Sequence, residues 1–468
     1  MSTTRVEKDT LGEVQIPADA YWGAQTERAV RNFPVSGIRF PPDFIRALGM
    51  IKGACAAVNL VLGLLDERIA GAVIRASEEV AQGKFDGQFP VDIFQSGSGT
   101  STNMNANEVI ATRANEMLTG SRRTGSPVHP NDHVNMAQSS NDVIPAAIHL
   151  SAYLAAHGTL LPALDELRRA IGEKRRHYGS LVKTGRTHLM DAMPLTVAQE
   201  LSGWESQVEY AGERIGSALP RLAELAIGGT AVGTGVNAPP GFGARVAQIL
   251  AAGTKIEFRE ARNHFEAQAS RDAVVELSGH LKTFATALIK IANDLRWMNS
   301  GPASGLAEIM IPPLQPGSSM MPGKVNPVIP EAARMAAAQV IGNDVVISLA
   351  NSMGEFQLNV MLPVIAYNIL QSVSLLAGVS RLLAEKVIGG MAADEEHIRG
   401  VLDRNLMVGT VLAPVTGYEK AAGVIEKAMK EGTTVKQAVV ELGYLSRDEA
   451  ERLLDPRSMT GSGEPPGR

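Results

Sequence analysis

The sequence is poor in cysteine, aromatics and net charge. Cys55 is its single cysteine, so no internal disulfide can form, and the composition fits a reducing compartment. One thiol also excludes an iron–sulfur cluster, which needs several thiolates. No H-E-x-x-H run or cysteine pair offers zinc spacing. Aromatics make up 4% of 468 residues, while hydrophobic residues reach 45%. An alanine-rich, aromatic-poor core of that size favours closely packed helices over a β-sandwich, in two or three domains. The net charge of −5 gives no reason to expect nucleic acid or an anionic membrane as partner. The first nine residues carry acidic side chains and no apolar core, against a secretion or import signal. Phe356 to Ser380 holds no charged residue. Its Gln357, Asn359, Pro363, Asn368 and Gln371 speak for a helix buried in a bundle or subunit interface rather than a membrane span.

What is present is organised around Gly317-Ser318-Ser319-Met320-Met321-Pro322-Gly323-Lys324-Val325-Asn326-Pro327. Two glycines and two prolines exclude a regular helix or strand. Two hydroxyls, a lysine and an asparagine suit a loop that turns N–H groups and one positive charge toward an anion. Composition alone leaves a surface connector as the alternative. A phosphate-binding P-loop is excluded, because five residues separate Gly317 from Gly323 and Val325 replaces the required hydroxyl. Pro330-Glu331 then opens a helix.

Helical spacing is expected over 46–82, 144–177, 196–224, 271–298 and 331–390, with residues 1–48 irregular and turn-rich. Three breaks carry polar clusters. Ser96 to Glu108 and Gln138 to Pro145 are rich in capping groups, suited to a small dianion, with a linker and simple capping as the plain readings. Lys183 to Leu195 reads as a loop whose His188 is a candidate acid–base group. Gly233 to Ala238 fits G-x-G-x-x-A but lacks strand–helix–strand surroundings, so a dinucleotide site is rejected for a close-packed loop. From residue 396 shorter, more charged segments suggest a small helical domain, and 461–468 reads as a disordered tail.

The central loop resembles the signature of the fumarase/aspartase superfamily, in the form used by class II fumarases. SGSGTSTNMNANEV, HPNDHVN, SSNDVIP, TGRTHLMDAMPLT and GGTAVGTG are similar to fumarase blocks, in the same order over nearly the whole chain. The resemblance implies an all-α fold in three domains (1–138, 139–395 and 396–468), with a long central helix bundle forming the core of a homotetramer. Each active site would be assembled from three chains. It implies reversible hydration of fumarate to L-malate in the cytoplasm, with no metal or organic cofactor. Ser318 would be the base, His188 would act on the water side with Glu331 orienting it, and Lys324 would help lower the Ser318 pKa. Substrate carboxylates would meet Ser98, Gly99, Thr100, Ser139, Ser140, Asn141, Thr187, Ser319, Lys324, Val325 and Asn326. His129, Pro130, Asn131 and Asp132 match a second dicarboxylate site. His188 and Gly323 stand where aspartases usually have glutamine and alanine. Met190 departs from the glutamine common in many fumarases. Another superfamily lyase, such as aspartase or argininosuccinate lyase, and a non-enzymatic helical tetramer are the competing readings.

Overall fold

A computed structural model of the chain describes residues 4–461, so the tail expected at 461–468 lies, beyond Gly461, outside the described residues. The protein is mostly helical. Its strands form five two-stranded sheets among the described residues. The chain divides into two compact units.

The first unit comprises Met1–Pro162, Glu213–Ala285 and Ala337–Ala377. Residues 1–48 are more regular than expected. Thr4–Asp9 and Gly12–Pro17 pair antiparallel, and a helix follows at Ala24–Asn32. The carboxylate of buried Glu108 accepts from the Gly23, Gln25 and Thr26 N–H groups and from the Thr26 hydroxyl, which fixes that helix's opening. The expected helix over 46–82 is two helices, Pro42–Val61 and Glu67–Ala81, because Asp66 caps the second with its side chain. They pack closely at Gly49, where a Cβ would stand 2.8 Å from the Ser77 carbonyl oxygen. Thr100–Thr119 runs between two left-handed glycines, Gly99 and Gly120. Ser140–Ala155 opens on a capping box between Ser139 and Asp142.

The second unit comprises Ala163–Gly212, Thr286–Ala336 and Gly378–Arg468. Lys183 to Leu195 is a hairpin rather than a loop: Val182–Thr187 pairs antiparallel with Met190–Thr196. Beyond Asn405, Val408, Leu412, Val424 and Val439 form a small core of short helices.

Long helices span Val197–Leu222, Asp272–Met298, Val328–Asn351 and Leu362–Leu383. The last two replace the single helix expected over 331–390. The interruption holds a short antiparallel pair, Gly354–Glu355 with Leu358–Asn359, and Phe356 has a positive φ of 51°. Pro42–Val61, Ser140–His177 and Leu362–Ile388 are long and apolar enough to cross a membrane, and 67%, 72% and 72% of their apolar windows are buried within the protein.

Candidate active site

In the first unit, the Ser98 and Thr100 hydroxyls lie 2.8 Å apart at the start of Thr100–Thr119, where first-turn N–H groups lack intrahelical acceptors. Gly97 lets this corner form: a Cβ there would sit 1.7 Å from the Val360 carbonyl oxygen. Ser139 Oγ accepts from the Asn141 N–H at 3.2 Å. Asp142, fully buried, accepts from Ser139 N at 2.9 Å and from Gly228 N and Thr230 N at 3.0 Å each. One carboxylate thus fastens the glycine-rich turn at 228–230 to the opening of the Ser140 helix. Burial pushes that carboxyl upward and the three N–H donors oppose it. Asn141 Nδ2 donates to the Ala231 carbonyl at 2.8 Å. Asn103 Nδ2 donates to Ser140 Oγ at 3.0 Å, so the helix carrying Thr100 and the helix opening at Ser140 are joined.

His129 opens a five-residue π-type turn, Pro130–Val134. Its Nδ1 accepts from Asn131 N at 3.3 Å and Asp132 N at 3.2 Å. The Asp132 carboxylate is also 3.3 Å from that nitrogen.

In the second unit, Thr187 pairs with Met190, making His188-Leu189 the two-residue turn of the hairpin. Both have left-handed backbones, φ 58° and 60°, the signature of a type I′ turn. That conformation is tolerated by histidine and costly for leucine, and it holds the imidazole out at the tip. Met190 is 69% exposed in the single chain. Beneath the tip, Glu308 is 2% exposed and bridges Lys183 Nζ at 2.7 Å and Arg186 Nη2 at 2.7 Å, while Lys183 also meets Glu200 at 2.6 Å.

The central loop closes on itself. Gly317 N donates to the Lys324 carbonyl at 2.7 Å, and Asn326 Nδ2 to the Gly317 carbonyl at 2.7 Å. Ser318 Oγ accepts from Met320 N at 3.1 Å and Met321 N at 2.9 Å. Hydrogen bonds to oxygen favour its ionised form. The Lys324 ammonium donates to Asn326 Oδ1 at 2.8 Å, not to Ser318. Lys324, Val325, Asn326 and Glu331 line one cavity of about 690 Å³ with Arg296. Ser319 is exposed. Among the described residues no hydrogen bond joins His188 to Glu331.

Residues 12–342 match the family described as Lyase, and residues 409–461 match the one described as Fumarase C C-terminus. The chain belongs to the class II fumarase family. It is 54% identical over 459 residues to the fumarate hydratase class II of Xylella fastidiosa, covering 98% of this chain and 96% of that one. It is 53% identical over 460 residues to the fumarate hydratase class II of Mycobacterium tuberculosis, covering 97% and 96%. The crystal structure of class II fumarase from Schistosoma mansoni superposes with a TM-score of 0.94 at 39% identity, covering 98% of this chain and 99% of that one.

Sequence reasoning missed Lys52, Asn135, Asp142, Lys183 and Glu308 as parts of the site's support. Lys52 had a signal: it stands beside Ile51 and in line with Cys55 and Asn59 on the apolar face of its helix, where a lysine needs partners.

Proposed function

We infer that the chain is a fumarate hydratase, a lyase that adds water reversibly to fumarate to give L-malate. In the dehydration direction an ionised Ser318 takes the C3 proton, and the electron pair moves into the neighbouring carboxylate. The C2–OH bond then breaks and hydroxide leaves with a proton from the His188 side, through a bound water. The C3 proton is far less acidic than any side chain, so the doubly charged carboxylate must meet donors already in place. Lys324, Asn326 and the Ser140 and Asn141 side chains supply them. Ser98, Gly99, Thr100, Ser139, Thr187, Ser319 and Val325 complete the substrate contacts. Glu331, brought by another chain of the assembly, orients His188, and His129 to Asp132 form a second dicarboxylate site. The observation that carries this reading is the Ser318 oxygen held by two backbone N–H groups, which favours the alkoxide a base requires.

The active form is a cytoplasmic homotetramer whose active sites combine residues of three chains, organised along the division 1–138, 139–395 and 396–468. The uncharged helix within 356–380 supports that assembly. The test is ultraviolet absorbance of fumarate after L-malate is added, with L-aspartate as control. Absorbance rising with malate alone supports hydration chemistry, a rise with aspartate moves the chain to the ammonia-lyases, and silence with both rejects the function.

A further inference from the structure

We propose that Lys52 is a positioning residue that sets which way the Ser140 hydroxyl points its proton. The inference rests on Ser140 being a substrate contact.

Lys52 is fully buried on Pro42–Val61. Its Nζ donates to Asn135 Oδ1 at 3.0 Å and Gln138 Oε1 at 2.9 Å. Gln138 cannot turn its amide over, because its Nε2 already serves the Val134 and Met136 carbonyls at 3.0 and 3.1 Å. Asn135 Oδ1 also accepts from Asn103 Nδ2 and Asn107 Nδ2, both at 3.1 Å. Asn103 Nδ2 in turn donates to Ser140 Oγ. The hydroxyl oxygen is therefore an acceptor on its buried side, and its own proton is left to donate outward, as a carboxylate ligand requires.

The opposite polarity has something in its favour. Asn103 Oδ1 and Asn107 Oδ1 are buried with no partner, and an unpaired buried acceptor is costly. Turning the Asn135, Asn103 and Asn107 amides over together would give both oxygens a donor. Ser140 would then donate inward to Asn103 and present only lone pairs to a carboxylate. What opposes the reversal is a donor-only group at the root of the chain. Burial pulls Lys52 down to about 7, with Cys55 and Asp142 opposing. The ammonium form fixes the polarity, because it has no lone pair to accept from a reversed Asn135 amide, whereas a neutral amine would relax it.

Two variants reverse the network from opposite ends. Lys52→Met removes the donor. Asn103→Asp puts an acceptor-only group against Ser140 at nearly unchanged volume, and it serves alone should the methionine variant not fold. Each is compared with Ser140→Ala and combined with it, reading KM for L-malate and calorimetric affinity for succinate, which cannot react. Each single variant is expected to raise KM and the succinate Kd about ten- to a hundred-fold, the size of one hydrogen bond to a charged group. Each double variant is expected to be no worse than its worse single. Multiplying effects in the doubles, or an unchanged KM and Kd in a folded Asn103→Asp, overturns the proposal. A wild type that binds succinate with the same coupling but does not turn over malate rejects the functional reading and leaves this one standing. A wild type that binds neither overturns both.

Discussion

Replacing Glu308 with glutamine keeps the side chain's shape and removes the charge that two cations share. The wild-type carboxylate meets Lys183 and Arg186 with one oxygen each, both at 2.7 Å. An amide has one oxygen, so it can accept from one cation and must turn an N–H toward the other. Removing one partner of a buried ion pair costs about 3–5 kcal/mol. The lower end applies here: Lys183 is 1% exposed but keeps Glu200 at 2.6 Å, and Arg186, 16% exposed, reaches water. About 3 kcal/mol is a change of roughly a hundred-fold in the unfolding equilibrium. The assay is urea unfolding of both proteins at one protein concentration, since assembly contributes to stability. The same ions hold the hairpin whose tip is His188, so kcat should fall with stability, by about ten-fold or more. Adding Lys183→Met to the glutamine variant removes the stranded cation and should recover part of the stability. A Glu308→Gln protein within 1 kcal/mol of wild type, with kcat unchanged, would refute the reasoning.

Other parts of the structure give independent tests. Burial and the nearby Arg271 charge pull His149 down to about 3, against a backbone hydrogen bond to Glu224 that raises it. A folded pKa below the ordinary 6.5 means the stabilisation is complete above 6.5 and is lost as pH falls through that value toward 3. Between pH 7 and 5 the loss is about 2 kcal/mol, and His149→Gln should flatten that part of the stability curve. Gly97→Ala would drive a Cβ to 1.7 Å from the Val360 carbonyl oxygen. Activity on malate should drop at least ten-fold as the Ser98 corner moves, while far-ultraviolet circular dichroism stays near wild type.

The helices were legible because their apolar residues recur every three or four positions. Their breaks were less so. The uncharged run through 356–380 concealed the turn at Phe356, since only Gly354 and Glu355 mark it and the apolar spacing continues beyond. The hairpin at 182–196 was hidden because His188-Leu189 occupies a turn that usually takes Asn-Gly. The first hairpin was obscured by its short strands and by Pro17 at the end of the second. The candidate site was legible where chemistry is local: the cap at Ser139 and the closed loop at 317–327 each draw their partners from nearby residues, whereas the capping expected before Thr100 is absent, Gly99 standing at that N-cap with no side-chain bond. Its support was not. Lys52 finds its acceptors 83 and 86 residues away, and Glu308 its lysine 125 residues away, separations that no local pattern encodes. Lys324 bonds Asn326 rather than Ser318, a choice between neighbours that depends on how the loop closes.

The most direct measurement is kcat for conversion of L-malate to fumarate by Ser318→Ala, with its fold and assembly matched to wild type. With Ser318 as the base, kcat falls by about 10²–10⁴-fold, while succinate affinity changes little. A variant that retains more than a tenth of wild-type kcat would contradict the account, because the proton would then be leaving to another group.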